Sequence, residues 1–227
     1  MRRKTVIVTD LNGVWLEKDR KKYLELTDTF FEKFSIDRKT VRKIDEKVFP
    51  RLARLARKGR MTYKELIEEY FKSTGRKNYR RLAKEFIRFE KSITKKYFRV
   101  KPGAKNVLIS LRKTGSPLIC VSDSLFSVRR LKGILKDLGI DRFFDRVYTS
   151  SHLRSEKPEA FEALELKLNL RKKPVIFIGH DDDEITGARN RGYVTIGINS
   201  ENSDFRVSDL SEIPGVVSRI CGGPGGI

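Results

Sequence analysis

Polar residues follow short apolar stretches of this 227-residue chain, and their types suit a site for an anionic group and a cation. A carboxylate comes first at Asp10, a hydroxyl next at Ser122, then Lys157, and finally an acidic cluster at 180–184. A carboxylate can act as a nucleophile, and a lysine can offset the repulsion between two anions. Carboxylate oxygens are also the ligands that Mg²⁺ prefers. Together these side chains suit a divalent cation and a phosphoryl group.

Short apolar strands that alternate with helical patterns must position these side chains. The predicted strands are at 5–10, 117–121, 146–148, 175–178 and 194–196. This alternation predicts an α/β fold, a doubly wound parallel sheet covered by helices on both faces. Ligands of such sheets lie at the carboxyl ends of the strands, near the switch point of the topology. We therefore expect the polar residues to meet at that edge of the sheet.

The stretch from about residue 18 to 98 has another pattern, which predicts an inserted all-α domain. Aromatic and aliphatic residues recur there at helical spacing, with basic residues between them. Breaks near Ile36, Gly59 and Ser73 divide it into about four amphipathic helices. We therefore expect residues 1–14 and 99–227 to form the α/β core, and residues 15–98 to form a helical cap.

The net charge of the chain is +20, from 50 basic and 30 acidic side chains. Residues 15–100 hold 27 basic and 13 acidic side chains, a net charge of +14. Such a field attracts nucleic acid or small phosphorylated and carboxylated substrates, although a solvated helical surface is the simpler explanation. The chain has neither the aromatic and basic pattern of an RNA-binding sheet nor the Cys/His spacing of zinc fingers.

Membrane and secretory signals are missing from the sequence. No apolar run approaches the roughly 20 residues that cross a bilayer, and the apolar stretch after Lys4 is too short for a signal peptide. Cys120 lies in an apolar run and Cys221 in a glycine-rich tail, which argues for a reducing compartment rather than a disulfide. We expect a soluble cytoplasmic protein with no membrane partner, and a glycine-rich end at 222–226 without regular structure.

The order and spacing of the motifs resemble the haloacid dehalogenase superfamily, in the branch whose helical cap follows the first motif. The resemblance spans nearly the whole chain. The motifs that carry it are Val6-Ile-Val-Thr-Asp10-Leu-Asn-Gly-Val14, Leu118-Ile-Cys-Val-Ser122, Ser155-Glu-Lys157-Pro158 and Ile178-Gly-His-Asp-Asp-Asp-Glu184-Ile-Thr-Gly-Ala188. Each motif alone is weakly specific, whereas the four in this order around a helical insert indicate the fold.

The resemblance implies a Mg²⁺-dependent phosphatase or phosphotransferase that acts on a small phosphorylated substrate. Asp10 would attack phosphorus to form an aspartyl-phosphate, and Ser122 would hydrogen-bond a phosphoryl oxygen. Lys157 would screen the charge between nucleophile and phosphate, and Asp123 is predicted to bind the substrate with them. Trp15 would either line the mouth of the substrate site or pack between cap and core.

Asn12 departs from the pattern of the family's phosphatases. Those enzymes have an aspartate at this position, which protonates the leaving group and then activates water. A carboxamide cannot transfer a proton near neutral pH, and general acid–base catalysis is typically worth about 10²–10⁴-fold. The backbone carbonyl of Asn12 would still ligate the metal. We therefore expect binding to be retained and turnover to be slowed.

The second departure concerns the predicted metal ligands, which are Asp10, Asn12, His180, Asp181 and Glu184. His180 stands at the first acidic position of the family and Glu184 at the second. Imidazole suits Zn, Fe or Ni better than Mg. Asp181 could therefore take over as the ligand, or His180 could replace the missing acid/base, because imidazole titrates near neutral pH. The acidic run could also do no more than favour the N-terminus of a helix.

Two other functions stay open on the sequence. A dehalogenase-like hydrolase also uses an aspartate nucleophile, lacks the acid/base aspartate and needs no metal, although the acidic run at 181–184 argues against a metal-free site. A catalytically weak binding protein could instead keep the pocket and use its basic cap to engage nucleic acid or an acidic partner.

Overall fold

The structure is a computed structural model that describes residues 4–222, so most of the glycine-rich end lies outside the described residues. Within them the strands are β1 (Val6–Thr9), β2 (Leu16–Lys18), β3 (Phe98–Val100), β4 (Leu118–Ser122), β5 (Arg146–Thr149), β6 (Val175–Gly179), β7 (Val194–Ile198) and β8 (Phe205–Val207). Six of these described strands form one sheet, in the order β5-β4-β1-β6-β7-β8, and every neighbouring pair is parallel. The predicted α/β fold with a parallel sheet is confirmed.

Helices make up most of the remaining described chain. They are α1 (Arg20–Lys33), α2 (Arg38–Lys47), α3 (Phe49–Arg57), α4 (Tyr63–Lys72), α5 (Tyr79–Tyr97), α6 (Ala104–Lys113), α7 (Val128–Asp137), α8 (Ser150–Leu153), α9 (Ala160–Leu168), α10 (Asp182–Asn190) and α11 (Ile213–Gly222). Among the described residues, no helix is both long and apolar enough to span a membrane.

The central strands are buried on both faces, which explains why they read as continuous apolar runs. Side chains of a strand alternate between the two faces of the sheet. Accordingly, Ile7 packs into one apolar cluster, while its neighbours Val6 and Val8 pack into another on the opposite face. Helices must cover both clusters, as expected for a parallel sheet.

The region from residue 20 to 97, all of it described, forms five helices, where the sequence predicted about four. They enclose an apolar cluster of their own, in which the ring of Phe30 contacts those of Phe71 and Phe86, with centroids 6.0 and 5.1 Å away. The extra division falls at Val48, between α2 and α3. Pro50 lies in the first turn of α3, where its missing N–H costs no helical hydrogen bond, so the proline starts a new helix there.

A short antiparallel ribbon joins the helical region to the sheet. Strand β2 leaves the loop after β1, β3 follows α5, and the two strands pair with Leu16 opposite Val100. The predicted boundaries of the cap, after residues 14 and 98, fall at this ribbon. Neither strand was predicted, because three residues are too few to show a periodic pattern.

A buried ion pair ties the long helix of the cap to the core. Glu90 on α5 accepts hydrogen bonds from Arg130 on α7 at 2.7 Å and from Tyr23 at 3.3 Å, and Tyr63 donates a third. The Arg130 guanidinium also lies over the rings of Tyr63 and Phe126, 4.9 and 4.0 Å from their centroids. A carboxylate this buried is tolerated because its hydrogen-bond partners replace water.

Replacing Glu90 with glutamine should therefore destabilise the protein. The substitution leaves the partly buried Arg130 cation without its counter-charge, and breaking a buried pair costs about 3 kcal/mol in free energy of unfolding. Glu85→Gln on the same helix is the matched control, because its pair with Arg88 is exposed and should contribute less than about 1 kcal/mol. Urea unfolding of both variants measures the difference. Equal losses would show that the buried pair adds nothing to stability.

Candidate active site

Asp10 lies at the carboxyl end of β1, where the topology of the sheet reverses. Strand β4 pairs with one edge of β1 and β6 with the other. Open parallel sheets bind their ligands at this kind of switch point. The amide of Asp10 donates to the carbonyl of Ile178 at 2.9 Å, and its side chain is almost wholly buried. The first motif therefore presents one fixed carboxylate at the edge where a ligand is expected.

The ammonium of Lys157 lies between two carboxylates. Its Nζ is 2.5 Å from Asp10 Oδ1 and 2.7 Å from Glu184 Oε2, and its side chain has no exposed surface. Burial by itself lowers the pKa of Lys157, but the neighbouring carboxylates of Asp10 and Glu184 outweigh it and raise that pKa. The lysine is therefore held as a cation against the predicted nucleophile.

Burial acts on Glu184 in the opposite sense. It raises the pKa of this carboxyl to about 7, and the Lys157 cation offsets only part of that effect. Glu184 lies in the first turn of α10, which directly follows β6. This short connection brings its carboxylate to the same edge of the sheet as Asp10.

Asp123 fixes the loop that carries Lys157. Its carboxylate accepts from the backbone N–H of Lys157, at 3.2 and 3.3 Å for its two oxygens. Burial raises the pKa of Asp123, and Lys157 opposes the shift. The structure thus shows a positioning contact for Asp123, whereas its predicted contact with a substrate stays a prediction.

Ser122 ends β4, which pairs with β1, and its side chain is fully buried. Within residues 4–222 its Oγ has no hydrogen-bond partner. Buried hydroxyls are seldom left without one, and the missing bond costs about 1–3 kcal/mol. An oxygen of a bound anion would accept the bond that the protein itself does not provide.

The loop after Asp10 is packed against His180. His180 Nδ1 is 3.6 Å from Asp10 Oδ2, the oxygen that Lys157 leaves available, and the ring is partly exposed. Gly13 has a φ of +78°, and a Cβ placed there would lie 2.3 Å from His180 Nε2. Only glycine fits at this position, because it meets both the backbone and the space requirement. The acid/base role considered for His180 stays a prediction.

Lys101 is a contact that the sequence did not predict. Its Nζ donates to the carbonyl of Gly13, although the two residues are 88 positions apart. It follows β3 and so stands where the chain returns from the cap to the core. A lysine just before Pro102 carries no local signal for this contact, which only the fold creates.

The acidic cluster does not form a magnesium site in this arrangement. Asp181 Oδ1 caps α10 by accepting from the amides of Asp183 and Glu184 at 3.0 and 3.2 Å, and Asp182 accepts from Ser200. Glu184 is paired with Lys157. Across the described part of the chain, no three His, Cys, Asp or Glu side chains group as metal ligands. The donors therefore do not fit Mg²⁺ as they stand, although the capping hydrogen bonds of Asp181 use Oδ1 alone.

Trp15 is a core residue, so of the two roles that the sequence left open the structure shows packing, and lining of the substrate mouth is corrected. It has no exposed surface, and its indole N–H donates to Thr9 Oγ1 at 2.8 Å. The indole packs in the larger apolar cluster of the core. Trp15 therefore offers no surface to a substrate here. Burial of so large an aromatic ring is strongly favourable, which is consistent with its place in the core.

Comparison with known proteins places these features in context. A family model described as haloacid dehalogenase-like hydrolase matches residues 26–198. The chain is 24% identical to an (S)-2-haloacid dehalogenase from a Pseudomonas species, over 56% of the chain and 60% of that protein. It is 30% identical to a glyceraldehyde 3-phosphate phosphatase from Methanothermobacter thermautotrophicus, over 44% of the chain and 45% of that protein. The matches thus span only about half of these relatives.

Solved structures share the whole fold. A 2-haloacid dehalogenase from Pseudomonas syringae pv. Tomato superposes with a TM-score of 0.73 at 17% identity, over 96% of this chain and 99% of that one. A phosphatase from Thermococcus onnurineus gives a TM-score of 0.59 at 19% identity, over 96% and 98%. Identities this low show the fold and not the substrate. The family model matches well over half of the sequence, and the chain belongs to the haloacid dehalogenase-like hydrolase family.

Proposed function

We propose that this protein hydrolyses small phosphate monoesters through a covalent aspartyl-phosphate, an acyl phosphate formed on Asp10. The observation that carries the proposal is the buried contact between Asp10 and Lys157 at 2.5 Å, at the switch point of the sheet. The hydroxyl of Ser122 on the adjacent strand, which has no hydrogen-bond partner among residues 4–222, supports it, because an anionic oxygen would satisfy that hydroxyl. The similarity to a glyceraldehyde 3-phosphate phosphatase favours phosphate esters as the substrate class.

In the first step the carboxylate of Asp10 attacks phosphorus. Oδ2 is suited to the attack, because Oδ1 is engaged by Lys157. A bond forms between Oδ2 and phosphorus, and the bond from phosphorus to the ester oxygen breaks. Lys157 lowers the repulsion between the two anions, and Ser122 donates a hydrogen bond to a phosphoryl oxygen. The leaving alkoxide takes its proton from water, because the carboxamide of Asn12 has none to give.

In the second step water attacks the phosphorus of the aspartyl-phosphate. The bond between phosphorus and Oδ2 breaks, inorganic phosphate leaves, and the Asp10 carboxylate is restored beside Lys157. Denaturing the protein during turnover and measuring its mass tests the proposal, since the intermediate adds one phosphoryl group to the peptide that contains Asp10. A reacting enzyme whose mass never increases would contradict the covalent route.

Replacing Asn12 with aspartate should restore proton transfer to the leaving group. The resulting gain in rate should depend on how much the leaving group needs that proton. An alkoxide needs a proton as it leaves, whereas p-nitrophenolate is stable as an anion. For the first step, measured as the rapid release of alcohol or p-nitrophenolate before the aspartyl-phosphate is hydrolysed, we therefore expect Asn12→Asp to raise the rate for an alkyl phosphate about 10- to 100-fold. The first-step rate for p-nitrophenyl phosphate should change less than about threefold. Asn106→Asp, the same change on an exposed face of α6, is the control. Equal gains on both substrates would show that Asn12 does not limit leaving-group protonation.

Dehalogenation is the second candidate, and the lack of proton transfer at Asn12 favours it. Halide leaves as a stable anion and needs no acid, and the pairing of Asp10 with Lys157 requires no metal. Asp10 would attack carbon, the carbon–halogen bond would break, and water would then release a hydroxy acid. Halide release from 2-chloropropionate would support this candidate.

Magnesium separates the two candidates. The magnesium requirement implied by the family's phosphatases stays a prediction, because the present donors do not fit the ion. Phosphate release that chelation by EDTA abolishes and Mg²⁺ restores would support the phosphatase. Halide release that EDTA leaves unchanged would support the dehalogenase.

A further inference from the structure

The seam between cap and core contains a polar pair beside the catalytic lysine. Arg57 ends α3, and its Nη1 is 3.4 Å from Oε2 of Glu156. Glu156 directly precedes Lys157 in the chain. The turn after Arg57 rests on the same core segment, because a Cβ at Gly59 would lie 2.8 Å from the carbonyl of Ser151. Arg57 of the cap therefore contacts the loop of the core that carries Lys157.

This pair is incompletely satisfied. Nε of Arg57 and Oε1 of Glu156 are both shielded from solvent, and no hydrogen-bond partner for either lies in the described chain. The contact between the two side chains joins one donor of the guanidinium to one oxygen of the carboxylate, and it is long for a hydrogen bond. What remains is an N–H that needs an acceptor and an oxygen that needs a donor.

A hydroxyl group supplies both functions, because it can accept one hydrogen bond and donate another. The substrate must also pass this seam or lie against it. Asp10, Ser122 and Lys157 are almost wholly buried, so the cap has to move to admit a substrate. Arg57 lies on the cap side of the seam and Glu156 on the core side, and each side chain is already about a third exposed.

We propose that Arg57 and Glu156 form the recognition pair for a hydroxyl group of the substrate, with Arg57 Nε–H donating to that oxygen and Glu156 Oε1 accepting its proton. This inference rests on the proposed function and narrows it to hydroxylated phosphate esters. The phosphoryl group meets Asp10 and Lys157, and the hydroxyl meets Glu156, which directly precedes Lys157 in the same loop. Arg57 and Glu156 act in binding and take no part in bond breaking.

Two matched esters test the proposal. Glycerol phosphate and propyl phosphate have the same carbon skeleton and a similar alkoxide leaving group, and they differ in the hydroxyls. We expect the wild type to prefer glycerol phosphate about 10- to 100-fold in kcat/KM, the range for hydrogen bonds to charged groups. Arg57→Lys keeps the charge and removes Nε, and Glu156→Ala removes the acceptor. Each should bring the preference close to one, mainly by raising KM for glycerol phosphate.

Arg54→Lys provides the control, because Arg54 is exposed on the same helix one turn earlier. It should leave the preference unchanged. Equal losses on both esters, or no preference in the wild type, would overturn the proposal and would indicate that only water meets the two atoms. Calorimetric binding of the two esters to the Asp10→Asn protein separates this proposal from the function on which it rests. Suppose that the wild type hydrolyses neither ester, but Arg57→Lys removes a binding preference for glycerol phosphate. This result would support the recognition pair and contradict the proposed phosphatase activity.

Discussion

Replacing Asp10 with asparagine lowers the rate of phosphate release at least about 10⁴-fold, the scale expected when a covalent nucleophile is removed. A carboxamide is too weak a nucleophile to displace the ester oxygen. The side chain keeps its shape and can still accept a hydrogen bond from Lys157, so the fold and substrate binding should persist. Steady-state assays with p-nitrophenyl phosphate measure the loss, and mass spectrometry should detect no phosphoryl adduct.

Asp137→Asn is the matched control for Asp10→Asn. Asp137 is exposed on α7 and pairs with Lys95 at the surface, so the same chemical change there should leave the rate within about twofold of the wild type. If Asp10→Asn kept a rate within about tenfold of the wild type, Asp10 would not be the nucleophile. The dehalogenase candidate would fall with the phosphatase, because both use this carboxylate.

Lys157→Met should lower both activity and stability. Methionine fills a similar volume without a charge, so the rate should fall about 10³-fold as the screen between Asp10 and the substrate is lost. The two carboxylates that share the ammonium, Asp10 and Glu184, then face each other without a cation. Breaking a buried ion pair costs about 3–5 kcal/mol in free energy of unfolding, which urea unfolding would show.

A second substitution separates the two effects of Lys157→Met. Adding Glu184→Gln removes one of the opposing charges, so the double variant should recover part of the stability and none of the activity. No recovery of stability would mean that the loss comes from packing rather than from charge.

The pH dependence of stability in Lys157→Met has a defined sign. The pKa of Glu184 is already raised, from 4.5 to about 7, in the wild type, and the loss of the Lys157 cation should raise it further. A carboxyl whose pKa is higher in the folded state contributes stability at low pH and loses it as the pH rises through that pKa. The variant should therefore be most stable in acid, and its unfolding free energy should fall more than that of the wild type between pH 5 and pH 8. A parallel fall in both proteins would contradict this account.

Local patterns were sufficient for the fold and for the residues at the edge of the sheet. Apolar stretches such as 175–178 are buried on both faces, and a strand in that position needs an unbroken apolar run. Because each parallel strand ends at the same edge, the residues that follow it, Asp10 and Ser122 among them, had to come near one another. The short elements, β2, β3 and β8, escaped prediction because three residues are too few to define a period.

The contacts of these residues needed the tertiary structure. Trp15 at a turn could face a substrate or the core, and only the packing of the larger apolar cluster shows that it is buried. Asp181 could bind a metal or cap a helix. Because α10 starts at Asp182, the structure shows Asp181 as the N-terminal capping residue of that helix. The site's remaining contacts join residues far apart in the chain, such as Lys101 with Gly13 and Arg57 with Glu156.

The sequence by itself determined that a carboxylate, a hydroxyl and a lysine follow apolar strands of a parallel sheet that is interrupted by a helical insert. The periods of strands and helices, and the order of these elements along the chain, are local properties that the sequence shows directly. The tertiary structure alone decided which charges neutralise one another. Lys157 forms ion pairs with Asp10 and Glu184, both of which the sequence had predicted as metal ligands. Ion pairing depends on distances between side chains on different elements, and those distances exist only once the apolar clusters have packed.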